Sequence, residues 1–311
     1  MPDKSAENDP FWDVALMPQS SERFVLRDGD ISDDESTSDG PVQRYRLPTP
    51  GDNPTFLLLR PLTSTDGDLW SPLGAHAWYG SALWSCYATS SQIDQPNDSP
   101  LTRLLTQRRS ITALELGSGA VGLAGIVLAW KLAQNSTQTT TEYSTTLCIC
   151  QQKSRVILSD CETKLVRQLQ RNVRANSHVF EPNVDCTVVQ LDWNDVGDAE
   201  LPLDNQPLDL IFGSELVYTP NTATACRDCI VHLTQQYPNA LVCIVQIVDR
   251  PGWLDIFVPG LQQQGLHVRQ ATVDAEVDAL AQQLLPRGGS LDRFAFGILY
   301  ASRNESLVEE S

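Results

Sequence analysis

Ile111–Gly125 reads ITALELGSGAVGLAG, and its order of apolar and glycine residues decides the fold. Thr112-Ala113-Leu114, with Leu116, is an apolar run of strand length that Gly117, Ser118 and Gly119 bring to an end. Val121, Leu123, Ile126, Val127, Leu128 and Trp130 then follow a helical pattern. Gly117, Gly119 and Gly122 match G-x-G-x-x-G. Such glycines permit a tight turn, let a ligand approach the backbone, and let the helix pack close on the strand. The N–H groups at the helix start then face the crevice beside it. A strand–turn–helix of this kind predicts a nucleotide-type ligand; a plain tight turn is the alternative.

Downstream, strands and helices alternate. Gln134 to Lys153 is rich in Ser, Thr and Gln and reads as a surface insertion. Arg155 to Asp160 is an apolar strand ending in a carboxylate, placed either to accept from both ribose hydroxyls of a bound nucleoside or to cap the next helix. ETKLVRQLQRNVRANS is an amphipathic helix, with Leu165, Leu169 and Val173 on one stripe. Cys186 to Leu191 is a third strand, ending in Asp192-Trp193. There an indole can lie on an adenine face and a carboxylate can meet its amine, unless the pair is a helix cap beside a packing Trp. Leu208 to Phe212 is a fourth strand, followed by Gly213-Ser214-Glu215-Leu216-Val217-Tyr218. The acid at Glu215 and the phenol at Tyr218 can converge on one small polar group. Helices over Thr222–Gln236 and Asp255–Gln264 flank the apolar strand Ala240–Val248, and the turn Asp249-Arg250-Pro251-Gly252-Trp253 follows that strand. Strands at His267–Val273 and Phe294–Ala301, with a short helix over Val277–Leu285 between them, close the body. The result is an α/β fold with about seven mostly parallel strands, helices on both faces, and a final pair that can run antiparallel.

Upstream, Gly74–Thr89 carries Trp78, Ala82, Leu83 and Tyr87 near one helical face just before the glycine turn. Trp78 is read as covering the ligand crevice or as core, and Trp84 as core. Arg44–Leu47 and Thr55–Arg60 are two short strands across a turn-rich link, expected to form a β-hairpin within residues 41–73. Residues 1–40 are an acidic, solvated tail, and 304–311 a polar one.

The net charge is −17, with a sequence pI near 4.5. It repels phosphate backbones, which disfavours a nucleic-acid substrate and suits a protein partner with a basic surface. No apolar run reaches the length of a membrane span, and the N-terminus lacks the pattern of a secretory leader. The cytoplasm, with or without the nucleus, is the expected compartment. Of the eight cysteines, Cys226 and Cys229 form C-x-x-C inside a helical pattern with no second Cys/His pair at zinc spacing. Cys148 and Cys150 sit in an apolar, strand-like patch. All are read as reduced, mostly buried thiols rather than metal ligands.

Together these pieces resemble the seven-β-strand methyltransferases that use S-adenosylmethionine, and more narrowly their lysine methyltransferase-like branch. The resemblance covers roughly Trp78 to the last strand. Leu114 to Gly122 is similar to the family's glycine motif, including the acid Glu115. Ser159-Asp160, with Arg171-Asn172-Val173 and Asn176, resembles its second-strand acid and following helix. Leu191-Asp192-Trp193 resembles an L-D-W signature, and Glu215 to Tyr218 a (D/E)-x-x-Y motif. The resemblance implies that Gly117, Ser118 and Gly119 line the methionine part of the cofactor and that Asp160 holds its ribose. It implies Trp193 near adenine with Asp192 close by, and Trp78 and Ser214 completing the pocket. Glu215 and Tyr218 would face the acceptor amine. Position 215 is Glu where many members have Asp, which leaves the acceptor type open. Rival readings are methyl transfer to histidine, arginine or a small molecule, a dinucleotide-dependent oxidoreductase, and a binding module without catalysis. The substrate protein and the oligomeric state are not legible.

Overall fold

The computed structural model describes residues 42–47, 55–62, 75, 77–89, 99–140, 152–198, 201–203, 206–285 and 294–309. The acidic tail, Cys148 and Cys150, and most of the Ser/Thr insertion lie outside the described residues.

The glycine-turn strand is β3 (Thr112–Glu115), and all four of its residues are buried. It sits mid-sheet because helices cover both its faces, which is what its unbroken apolar run requires. The seven-stranded sheet has the order β5-β4-β3-β6-β7-β9-β8. Its strands are β4 (Ser154–Asp160), β5 (Val184–Gln190), β6 (Leu210–Ser214), β7 (Leu241–Ile247), β8 (His267–Thr272) and β9 (Phe296–Ser302). Pairs from β5 to β7 are parallel, and β9 runs antiparallel to both β7 and β8. From β3 the chain winds outward through β4 and β5, then returns to lay β6 on the other side of β3. That reversal opens a crevice at the strands' C-terminal ends.

The sheet separates two apolar clusters. Ala113, Phe212 and Cys243 face one of them, and Leu114, Ile211 and Ile244 the other. The first is covered by α1 (Tyr79–Thr89), α2 (Pro100–Gln107), α3 (Leu123–Thr140), α4 (Thr163–Ala175) and α7 (Ala275–Leu284), the second by α5 (Pro220–Gln236) and α6 (Val258–Gln263). Every residue of α1 is buried. Trp84 is core as expected: its ring stacks on Phe212 at 4.3 Å, and its N–H donates to the Cys243 carbonyl at 3.3 Å. Cys226 and Cys229 are fully buried on α5.

Strands β1 (Gln43–Arg46) and β2 (Phe56–Leu59) form the expected antiparallel pair. They dock on α4 through side-chain amides. Asn176 accepts from the Leu58 N–H and donates to the Leu58 carbonyl, both at 2.8 Å. Asn172 does the same for Arg60 at 2.8 and 2.9 Å. Asn172 on α4 and Asn176 at its C-terminal cap thus face Arg60 and Leu58 at the end of β2, each amide taking the place of a neighbouring peptide.

Three expectations need correction. Residues 134–140 are not yet insertion but the last turns of α3. Asn135 donates to the Leu105 carbonyl of α2 and the Ser136 hydroxyl to the Leu132 carbonyl, so the polar side chains secure the helix end. Helix α2 was not anticipated, although Ser99 caps it and Pro100 stands at its first position. The C-terminal segment, read as a polar tail, also carries an apolar anchor, because Val308 is buried in the first cluster.

Candidate active site

Four strand ends meet at the crevice, and the residues singled out by sequence all line a single cavity of about 560 Å³ there. The end of β3 supplies Gly117, Ser118 and Gly119; the end of β4 supplies Asp160. Asp192 and Trp193 follow β5, and Ser214, Glu215 and Tyr218 close β6. Trp78 comes from the residue before α1.

The glycine turn is built as its residues predict. Gly117, Gly119 and Gly122 all have φ near +62°, a conformation that side chains disfavour. A Cβ on Gly122 would lie 2.3 Å from Leu169 Cδ1, so the third glycine lets α3 close on α4. The turn is tied to β4 by its backbone and hydroxyls. Ser118 N donates to the Ser159 carbonyl at 2.8 Å, and Ser159 Oγ to the Glu115 carbonyl at 2.6 Å. Gly119 N donates to Asp160 Oδ2 at 3.0 Å. The second Asp160 oxygen accepts from Glu162 N at 3.2 Å, so this carboxylate holds both the glycine turn and the bend before α4, without capping the helix itself. Burial raises the Asp160 carboxyl above its usual range.

Beneath the turn lies Glu115, 3% exposed. Its Oε2 accepts from Ser118 Oγ at 2.8 Å, and the Gly125 N–H in the first turn of α3 also donates to the carboxylate. Burial pushes the Glu115 carboxyl up to about 7. Sequence reasoning used this acid only as part of a motif match; its role in the structure is to join the strand end to the helix start.

Asp192 is exposed and caps its own turn, accepting from Asn194 N and Nδ2 at 2.9 Å. Asp192 also lines the cavity. Trp193 packs against Gly117, where a Cβ would stand 3.3 Å from its ring.

On the other wall, the Ser214–Tyr218 loop is fixed from β7. Glu215 N donates to the Val245 carbonyl at 2.8 Å. The buried Gln246 amide accepts from Val217 N at 3.0 Å and donates to the Val217 carbonyl at 2.7 Å. Glu215 has φ +50°, the sole positive value at a non-glycine among the described residues. Its Oε2 accepts from Gly80 N at 2.8 Å. Burial raises the Tyr218 phenol, which stays protonated at neutral pH. Arg250 and Asn221 also line the cavity and were passed over. Arg250 lies just past the C-terminal end of β7, the end of such strands at which ligands bind, and that position was the available signal.

A family model described as lysine methyltransferase matches residues 66–250, more than half of the chain. A curated relative, protein-lysine N-methyltransferase EEF2KMT of Bos taurus, is 26% identical over 175 residues, covering 49% of this chain. The match spans only 44% of that relative's own length. Among solved structures, the METTL16 methyltransferase domain aligns with TM-score 0.41 and 12% identity over 65% of this chain and 63% of that one. An O-methyltransferase from Bacillus cereus in complex with SAH aligns with TM-score 0.36 and 14% identity over 76% of this chain and 94% of that one. With its model matched over residues 66–250, this chain belongs to the lysine methyltransferase family.

Proposed function

We propose that this protein is a protein-lysine N-methyltransferase that takes its methyl group from S-adenosylmethionine and acts on a non-histone protein with a basic surface. The observation that carries the reading is the meeting, in one cavity, of a glycine cradle, the Asp160 carboxylate and the Glu215–Tyr218 loop. The residues fit the cofactor. A cavity of about 560 Å³ is of ligand size. Positive φ at Gly117 and Gly119 lets the backbone itself form one wall. Carboxylates offer acceptors to hydroxyls, and indoles offer flat apolar surface to a purine.

When bound, the cofactor supplies an electrophilic methyl group on a sulfonium. The remaining tasks fall to the chain. Asp160 would accept from the ribose hydroxyls, and Trp193 would lie near adenine with Asp192 beside it. Gly117, Ser118 and Gly119 would line the methionine part, with Trp78 and Ser214 completing the wall. An acceptor lysine must be neutral to attack, although its reference pKa is about 10.4. Partial desolvation in the cavity, near a positive charge, lowers that value. Tyr218, protonated, would give the amine a hydrogen-bonding wall, and Glu215 stands on the same loop. Orientation and a shaped electrostatic surface then supply most of the acceleration. The charge of −17 supports a basic protein partner over nucleic acid. No helix among the described residues is long and apolar enough to cross a membrane.

The test is calorimetric titration with S-adenosylhomocysteine. The wild type is expected to bind, and Asp160→Ala to bind at least about tenfold more weakly, equivalent to about 1.4 kcal/mol. Absence of binding by the wild type overturns the reading. Labelled cofactor added to a lysate then identifies the acceptor; label on histidine, arginine or a small molecule changes its class.

A further inference from the structure

We infer that Glu215 is a positioning residue: its carboxylate caps helix α1 in place of the residue that should have done so, and thereby sets the Trp78 wall of the cavity. The inference rests on the S-adenosylmethionine reading only for the identity of what that wall touches.

Helix α1 begins at Tyr79, so Trp78 occupies the capping position. The first turn of any helix has N–H groups with no partner inside the helix, and a Ser, Thr, Asp or Asn at the cap ordinarily accepts from one of them. Indole is a donor only and cannot do this. The Trp78 carbonyl is engaged by Ser81, which donates from N at 3.0 Å and from Oγ at 2.6 Å. The Gly80 N–H is satisfied from 135 residues away, by Glu215 Oε2 at 2.8 Å. A carboxylate at a helix N-terminus also meets the positive end of the helix dipole. The arrangement frees position 78 for an aromatic side chain that lines the cavity.

Three further features show that the contact is built rather than incidental. Glu215 adopts φ +50°, a strained backbone for a non-glycine residue. The backbone on either side of it is anchored to β7, through Val245 and through Gln246 acting on Val217. Position 80 has no space for a side chain, since a Cβ there would stand 2.9 Å from both Cγ and Oε2 of Glu215. The carboxylate is thus fitted to a glycine. One loop carries Tyr218 on the acceptor side and, through Glu215, fixes Trp78 on the cofactor side. The two halves of the cavity are set by the same four residues of chain.

The experiment compares Glu215→Ala, Glu215→Gln and Gly80→Ala by S-adenosylhomocysteine calorimetry and by hydrogen exchange over residues 79–83. Glu215→Ala is expected to lose about tenfold in affinity and to raise exchange in the first turn of α1. Glu215→Gln keeps a side-chain oxygen as acceptor and should hold both within about twofold of wild type. Gly80→Ala should behave like Glu215→Ala, and adding it in a Glu215→Ala background should change nothing further, because the side chain it displaces is gone. Wild-type affinity and wild-type exchange in Glu215→Ala overturn the inference, as they mean a carboxylate serving only the acceptor. If Glu215→Ala does not fold, the same outcome in Gly80→Ala overturns it. If the wild type fails to bind S-adenosylhomocysteine, the cofactor reading falls, while the exchange data still decide whether Glu215 caps α1.

Discussion

Asn172 donates through Nδ2 to the carbonyl of Ala120, at 2.8 Å. Ala120 belongs to the glycine turn, and the same amide nitrogen also reaches the Arg60 carbonyl beyond β2 at 2.9 Å. One buried side chain of α4 therefore ties the N-terminal strand pair to the glycine turn that lines the cavity.

This separates two asparagines that otherwise look alike. Asn176 pairs with Leu58 but has no bond to the glycine turn. Replacing either with Ala removes several buried hydrogen bonds and is expected to cost roughly 2–4 kcal/mol of stability. Asn172→Ala should in addition weaken S-adenosylhomocysteine binding several-fold, and Asn176→Ala should not. Urea unfolding paired with calorimetry on both variants checks it; equal affinities would disprove the link.

Gln246 is the equivalent device for the Glu215–Tyr218 loop. Gln246→Leu keeps the size and removes both bonds to Val217. A stability loss of about 2–3 kcal/mol is expected, because the Val217 peptide is buried. Methyl transfer should fall more than stability at the assay temperature would explain, because the Glu215–Tyr218 loop loses its anchor. The assay is a single-turnover rate measured well below the melting temperature.

Glu115 makes stability depend on pH. Its folded carboxyl is raised to about 7 from an ordinary 4.5, so its contribution is fully present below about 4.5 and is lost as pH rises through 7. Relative to Glu115→Gln, the wild type should therefore lose stability between pH 4.5 and 7, by at most about 3 kcal/mol. Denaturant midpoints of both proteins across that range give the difference directly; parallel curves would refute the assignment.

Tyr218 is expected to act on the acceptor alone. Burial keeps its phenol protonated, so it serves as a hydrogen-bonding group and not as a phenolate base. Tyr218→Phe should lower the transfer rate by roughly tenfold to a hundredfold with S-adenosylhomocysteine affinity unchanged. Loss of affinity would move Tyr218 to the cofactor side.

Most of the sheet was legible because its signals are local. An apolar run, a glycine turn and an acid at a strand end each lie within a few residues, and the spacing places them at one edge. Some of what escaped reading depends on residues far apart, and some on local signals left unused. Gln246 is the single polar residue in the run ALVCIVQIV, yet nothing nearby says that it serves Val217. Glu215 was assigned to the acceptor amine, and its bond to Gly80 spans 135 positions. Arg250 was read as part of a turn, although its place just past the end of an apolar strand already marked it for the cavity wall. Ser136 was counted as loop because of its composition, whereas its bond to Leu132 belongs to a helix. Ser99-Pro100 was a local signal that went unused.

Helix α1 has no outward face. All eleven of its residues are covered, and its first hydroxyl partner, Asp278, follows Tyr79 by 199 positions. During synthesis this segment leaves the ribosome long before α7 and β9 exist to cover it. At ordinary elongation rates the delay is roughly 10–40 s. For that interval the side of α1 that α7 will cover stands open, although α2 and α3 can already pack on the rest of the helix. The burial of α1, and with it the Trp78 side of the cavity, is thus completed only once α7 has been released.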